Sequence, residues 1–189
     1  MGPTASGKSE VALALAEESG ADILSVDSMQ VYRGMDIGTA KPDLAARARV
    51  NHHLIDLVEP ETAFTVADYQ AAGLDVLHRL ATADRRVILV GGSGLHLRSL
   101  VDPINPPPTD PGLRADLEAA RLDSLVAELL ARDPDSGGVV DLANRRRVVR
   151  AVEILRLTGA TPSARAAADE RSRLDAYRPA RPFVAVGFD

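Results

Sequence analysis

The 189-residue sequence contains neither cysteine nor tryptophan. The absence of cysteine excludes disulfide scaffolds, thiolate metal sites and cysteine nucleophiles, and leaves a reducing compartment open. Aromatic side chains are scarce, at three Tyr and three Phe. Tyr32 and Tyr69 are the candidates for stacking on a base, although core packing is the commoner use of such residues. No apolar run approaches the roughly 20 residues that cross a bilayer, and no secretory leader stands ahead of the first motif. A cytoplasmic protein without membrane contact is expected, acting as a monomer. An excess of acidic over basic residues, 27 against 22, argues against a generally basic nucleic-acid binder while leaving room for a local patch. Lysine is rarer still, because all basic residues except Lys8 and Lys41 are arginine.

What remains is 46% hydrophobic and 26% charged, enough to bury the core of one domain with a small appendage. Short β-rich runs alternate with longer helical segments, the pattern of a parallel α/β sheet. Strands are predicted near Asp22 to Val26, His53 to Leu57, Val87 to Val90 and Phe183 to Phe188. Apolar spacing predicts helices over Ser9 to Ser19 and Val66 to Thr82. The pattern breaks at Asp102 to Pro111, where five prolines stop both helix and ladder. From Pro111 to about Ala168 the reading is helical. One helix starts behind an Asp110 cap with Pro111 at its first position, a second spans Leu122 to Ala131, and a third spans Asn144 to Thr158 and is ended by Gly159. The expected organisation is an α/β core over 1–105, an all-helical insertion over 106–178, and a returning core strand within 179–189.

Gly2-Pro3-Thr4-Ala5-Ser6-Gly7-Lys8-Ser9 matches the phosphate-loop pattern of nucleotide- and ATP-binding proteins at every fixed position. The glycines let backbone N–H groups converge on phosphate oxygens, Lys8 supplies a point charge, and the Ser9 hydroxyl suits a phosphate-bound Mg²⁺. The fold class this predicts is α/β, a P-loop NTPase-like parallel sheet flanked by helices. Such a loop ordinarily follows a buried strand, and only Met1 precedes Gly2. The first strand is therefore expected to be missing from the chain.

Asp27 leaves the end of the predicted second strand, where open parallel sheets place their ligand crevices. A carboxylate there can accept a proton, hold Mg²⁺ or cap the following turn, and spacing does not choose among these. Lys41 sits in a Gly-Thr-Ala-Lys loop, where it can meet an anion or stay solvated.

Five segments taken together are specific. Gly2 to Ser9, Ser25 to Ser28, Tyr32 to Pro42, His52 to Asp56 and Val90 to Leu95 resemble, in order, the tRNA dimethylallyltransferase family, also called tRNA isopentenyltransferase. That family moves a dimethylallyl group from dimethylallyl diphosphate to N6 of the adenosine on the 3′ side of certain anticodons, with Mg²⁺. The resemblance implies that the loop residues, Lys8 and Lys41 bind the diphosphate and that Ser9 helps hold Mg²⁺. It implies catalytic roles for Asp27 as general base, Thr4 on the diphosphate or base side, and Lys8. It also implies tRNA contacts at Asp27, Ser28, Met29, Gln30, Ser93, Arg114 and the run Arg146, Arg147, Val148, Val149 and Arg150. The charge pattern agrees with the last of these, since 141–156 carries a local +3 in an acidic chain. Arg146 and Arg150 fall on one helix face and Val148, Val152 and Leu155 on another.

Three positions depart from the family pattern. Ser93 stands for a common Thr, His96 for a common Tyr, and Asn144 for a frequent Asp. The family also continues for roughly a hundred residues past the point where this chain stops, so a fragment cut at both ends is expected. Three competing readings are prenyl transfer to a free adenine nucleotide, an ATP-dependent small-molecule kinase, and a non-catalytic binding remnant. The helical module and its arginines favour tRNA over a free nucleotide, and no adenine-binding signature supports the kinase.

Overall fold

A computed structural model describes residues 7–102, 105–168, 179 and 182–186. The chain divides into two compact units, one holding the described residues through Asp102 with those from Pro179 onward, the other those from Asn105 to Ala168.

In the first unit, helix α1 (Lys8–Ser19) leads to strand β1 (Asp22–Val26), then α2 (Leu44–Arg49), β2 (His52–His53), α3 (Val66–Thr82), β3 (Val87–Gly91) and α4 (Gly94–Val101). Among the described residues the sheet is parallel, with order β2-β1-β3 and Ile23 paired with Ile88. Parallel pairing requires crossover helices, and these cover both faces. Alternation along the strands sorts the core accordingly. Ile23, Ile88 and Val90 pack with Ala12 and Ala16 of α1, while Leu24, Val26, Val87 and Leu89 pack with Tyr69, Val76 and Leu80 of α3 and Leu100 of α4. Asp22, buried at the start of β1, accepts hydrogen bonds from Nε2 of His53 (2.7 Å) and from Arg85, tying β2 and the approach to β3 to the central strand.

Two expected strands are not found as predicted. The ladder at β2 stops after His53, because Leu54 and Asp56 adopt φ of +61° and +56° and turn the chain out of the sheet. Of the run Phe183 to Phe188, residues 183–186 are described; they belong to no strand and are exposed, Val184 almost fully. Gly187 and Phe188 lie outside the described residues.

The second unit holds α5 (Pro111–Ala119), α6 (Leu122–Arg132), a 3₁₀ turn at Pro134–Gly138, α7 (Arg145–Thr158) and α8 (Pro162–Ala167). Each boundary has a local cause. Asp110 accepts the Leu113 N–H ahead of Pro111, Asn144 accepts the Arg147 N–H, and Gly159 ends α7 at φ +73°. Leu117, Leu125, Leu129, Val148, Val152 and Leu155 form its core.

Candidate active site and arginine cleft

The carboxyl ends of β1 and β3 lie against each other. A Cβ on Gly91 would sit 2.0 Å from the Val26 carbonyl oxygen, so only glycine permits the approach. Two residues on, the Ser93 N–H donates to that same carbonyl (3.2 Å). Asp27 and Ser93 therefore leave neighbouring strand ends. Asp27 folds back on its own turn, with Oδ1 accepting the N–H groups of Met29 (2.7 Å) and Gln30 (3.3 Å). Its Oδ2 accepts no hydrogen bond from the described residues. The carboxylate is thus a turn cap through one oxygen and available through the other. Ser28 and Met29 are exposed beside it. Gln30 turns inward instead: its Oε1 accepts from Ser25 (2.7 Å), and its Nε2 donates to the carbonyls of Thr39 (3.0 Å) and Ala40 (3.1 Å).

Tyr69 is fully buried behind this turn and donates its hydroxyl to the Ser25 carbonyl (2.7 Å), so it is core and does not stack on a ligand. Burial, helped by the nearby Asp27 charge, pushes the Tyr69 hydroxyl far above its ordinary pKa. The His96 ring meets Tyr69 edge-on, with centroids 4.5 Å apart and planes at 83°. His96 Nδ1 and Ser93 Oγ are 2.6 Å apart. Burial lowers the His96 pKa, and Asp27 acts against that effect.

Lys41 has a different job from the one its loop suggests. Its side chain is 1% exposed, and the ammonium uses its three donors on the Tyr32 carbonyl (2.6 Å), Asp56 (2.8 Å) and Asp36 (2.9 Å). With its three donors engaged, it is a tie that holds the 32–56 loops together, in the wall of the cleft that Ser9, Ser25 and Gln30 also line. Burial alone would lower its pKa, but the two carboxylates outweigh burial and raise it. Asp56 also accepts from Arg47 (2.6 Å), which accounts for its left-handed backbone being worth its strain.

Of the phosphate-loop residues, Gly7, Lys8 and Ser9 are described, and Gly2, Pro3, Thr4, Ala5 and Ser6 lie outside the described residues. Gly7 precedes α1 at φ +76°, and Lys8 and Ser9 open its first turn. Ser9, Ser25, Gln30 and Gly91 line one cleft of about 290 Å³ at this helix start.

In the second unit the predicted RNA contacts divide. Val148 and Val149 are core, so their side chains cannot reach a ligand. Arg114 and Arg150 both bond to Glu153, which is completely buried and which also accepts the Asp110 N–H (3.0 Å). Arg150 donates in addition to the carbonyls of Pro107 (2.8 Å) and Pro108 (2.9 Å). Burial would raise the pKa of Glu153, but the hydrogen bonds it receives hold it below the usual carboxylate value. Arg146 and Arg147 are exposed, and their guanidinium groups bond to nothing among the described residues. Together with Arg150 and Arg165 they line a cleft of about 490 Å³ floored by Ile154 and Pro162. Sequence reading missed Glu153 and the Tyr69–His96–Ser93 cluster. A carboxylate on the apolar face of α7 was the available signal for the first, and the His96 departure for the second.

The family model described as IPP transferase matches residues 30–186. The tRNA dimethylallyltransferase of Bifidobacterium longum subsp. infantis is 42% identical, the match covering 100% of this chain and 58% of that protein. That of Geobacter sulfurreducens is 46% identical over 84% of this chain and 52% of its own. Among solved structures, a full-length tRNA isopentenylpyrophosphate transferase from Bacillus halodurans is 38% identical with a TM-score of 0.53, covering 84% of this chain and 55% of that one. A eukaryotic dimethylallyltransferase acting on tRNA is 26% identical with a TM-score of 0.74, covering 86% and 42%. The chain spans about half the length of the curated relatives it matches. Sequence and fold agree, and the chain belongs to the IPP transferase family.

Proposed function

We propose that this chain carries out dimethylallyl transfer from dimethylallyl diphosphate to N6 of the adenosine on the 3′ side of the anticodon in cytoplasmic tRNA. The observation that carries the reading is Asp27, anchored through Oδ1 at the carboxyl end of β1 beside Ser93, with Oδ2 left to accept a proton. In the reaction, the N6 lone pair attacks C1 of the allyl chain while the C1–O bond breaks. Diphosphate leaves with that electron pair, and Asp27 takes the N6 proton. Gly2 to Ser9 would cradle the leaving group through the N–H groups of their non-proline residues, with Lys8 supplying positive charge and Thr4 a contact on the diphosphate or base side.

Mg²⁺ is compatible with the donors present. The Ser9 hydroxyl is a hard oxygen ligand at the start of α1, and among the described residues no cluster of three acidic or histidine side chains is assembled. Mg²⁺ commonly relies on one or two protein oxygens plus substrate phosphates, so such a cluster is not required. When bound, it supplies charge neutralisation to the departing diphosphate.

In this reading Ser28, Met29 and Ser93 meet the target nucleotide and Arg146 and Arg147 meet phosphates, which the exposure of Ser28, Met29, Arg146 and Arg147 supports. This arginine cleft, and relatives named for action on tRNA, support tRNA over a free nucleotide. Incubation with radiolabelled dimethylallyl diphosphate and an anticodon stem-loop tests the proposal. Label is expected on the RNA when adenosine occupies the target position and not when guanosine does. Transfer of γ-phosphate from ATP, without prenyl transfer, would replace this reading with the kinase.

A further inference from the structure

Ser93 is the N-cap residue of α4, yet its side chain makes no cap hydrogen bond. A serine at this position ordinarily accepts an N–H from the first turn. Here the hydroxyl is diverted to the imidazole of His96, three residues on, at 2.6 Å from Nδ1. The ring is fixed on its other side by the edge-on contact with Tyr69, whose own hydroxyl is bound to Ser25. Held between the Ser93 hydroxyl and the Tyr69 ring, the imidazole sets the direction of the hydroxyl. Two titratable groups face His96: Asp27 from the turn after β1, which draws positive charge toward the ring, and Tyr69 from α3, whose hydroxyl stays protonated. On its own helix, Arg98 is paired with Asp102.

We propose that His96 is a positioning residue that sets the hydrogen-bonding polarity of the Ser93 hydroxyl, presenting an acceptor to the target adenine when neutral and a donor when protonated. In the neutral ring the proton sits on Nε2, so Ser93 O–H donates into the Nδ1 lone pair and its oxygen lone pairs face outward. Such an acceptor matches the N–H of an exocyclic amine. On protonation, Nδ1 gains a proton from solvent and becomes a donor. Ser93 oxygen must then accept from the ring, and its hydrogen is released to point outward, against an amine that is itself a donor. Burial favours the neutral ring, so the acceptor form holds at neutral pH and the change comes on acidification. The consequence for RNA rests on the proposed function, whereas the polarity of the hydroxyl does not.

The experiment has two arms on this chain. Imidazole ¹⁵N shifts of the four histidines are followed from pH 8 to pH 5, in the wild type and in Ser93→Ala. The Nε2–H tautomer is expected for neutral His96, with its signals displaced in Ser93→Ala. An Nδ1–H tautomer at neutral pH, or signals indifferent to Ser93→Ala, would overturn the proposal. The second arm compares binding of two anticodon stem-loops, with adenosine or with purine riboside, which lacks the amine, at the target position. Wild-type preference for adenosine is expected to fall by about tenfold, the value of roughly one hydrogen bond, as His96 becomes protonated. His96→Gln is expected to show a preference independent of pH. Taking the ratio cancels the added positive charge, which by itself would tighten both RNAs equally. A wild-type ratio that does not change while His96 titrates would overturn the proposal. Binding of neither RNA, with the tautomer as expected, would contradict the tRNA reading and support the hydroxyl polarity alone.

Discussion

Replacing Glu153 tests whether the buried carboxylate holds the helical unit together. Its side chain is 0% exposed, and it receives Arg114, Arg150 and the Asp110 N–H, so it joins α7 to the start of α5 and, through Arg150, to the proline segment. Removing one partner of a buried ion pair costs about 3–5 kcal/mol. The two arginines are 38% and 31% exposed, so water replaces part of what they lose, and about 3 kcal/mol is expected for Glu153→Ala. Glu153→Gln keeps the volume and one acceptor oxygen, and about 1.5 kcal/mol is expected. The two costs differ in pH dependence from an apolar packing defect. Because the folded pKa of Glu153 is depressed, its stabilisation is complete above the unfolded value of about 4.3 and is lost as pH falls from there toward the folded value. The gap between wild type and Glu153→Gln is therefore expected to be constant at neutral pH and to narrow below about pH 4.3. Urea unfolding of the helical unit, followed by far-ultraviolet circular dichroism at pH 7 and pH 4, measures both quantities. A cost under about 0.5 kcal/mol for Glu153→Ala, or a gap unchanged at pH 4, would refute the ion-pair account.

Arg146→Ala combined with Arg147→Ala is expected to weaken stem-loop binding and to reduce the slope of log affinity against log salt by about 1.4 to 1.8, one phosphate contact per arginine. Unchanged binding and slope would return both residues to a solvated face. Lys41→Met is expected to destabilise the first unit by about 2 kcal/mol through loss of its carboxylate partners, which are themselves partly exposed. The upward shift in Tm produced by added diphosphate is expected to persist in that variant, since Lys41 has no donor to give. Loss of that shift would restore Lys41 to the diphosphate site.

The helical unit was legible because its signals are local. Asp110, Pro111, Asn144 and Gly159 act within one turn of their own helices, so reading them needs no tertiary knowledge. The strand at Asp22 was legible for a similar reason, its short β-rich run Asp22 to Val26 being buried throughout around Ile23, Leu24 and Val26. Where the reading failed, the deciding contact was distant in sequence. His52-His53-Leu54-Ile55-Asp56 has strand composition, yet Lys41 from the preceding loop and Arg47 from α2 reach Asp56 and hold it in a left-handed turn. Lys41 looked like an anion ligand because its partners Asp36 and Asp56 could not be seen to converge on it. Glu153 sits on an arginine-rich helix, and its partners Asp110 and Arg114 lie some forty residues away in the sequence. At the site, spacing could not separate capping of the turn from a ligand-facing role for Asp27, and the turn shows Oδ1 capping while Oδ2 accepts no hydrogen bond from the described residues. His96 was visible as a departure, but its part depends on Ser93 declining to cap, which composition does not reveal.

Asp27→Asn tests the central claim most directly. Asparagine keeps the Oδ1 acceptor for the Met29 and Gln30 N–H groups, so the turn is preserved while the proton acceptor is lost. Single-turnover transfer of dimethylallyl to the stem-loop is measured alongside stem-loop affinity. The rate is expected to fall by about 100- to 10,000-fold while affinity stays within about twofold. Transfer at a rate close to wild type would contradict the assignment of Asp27 as the base.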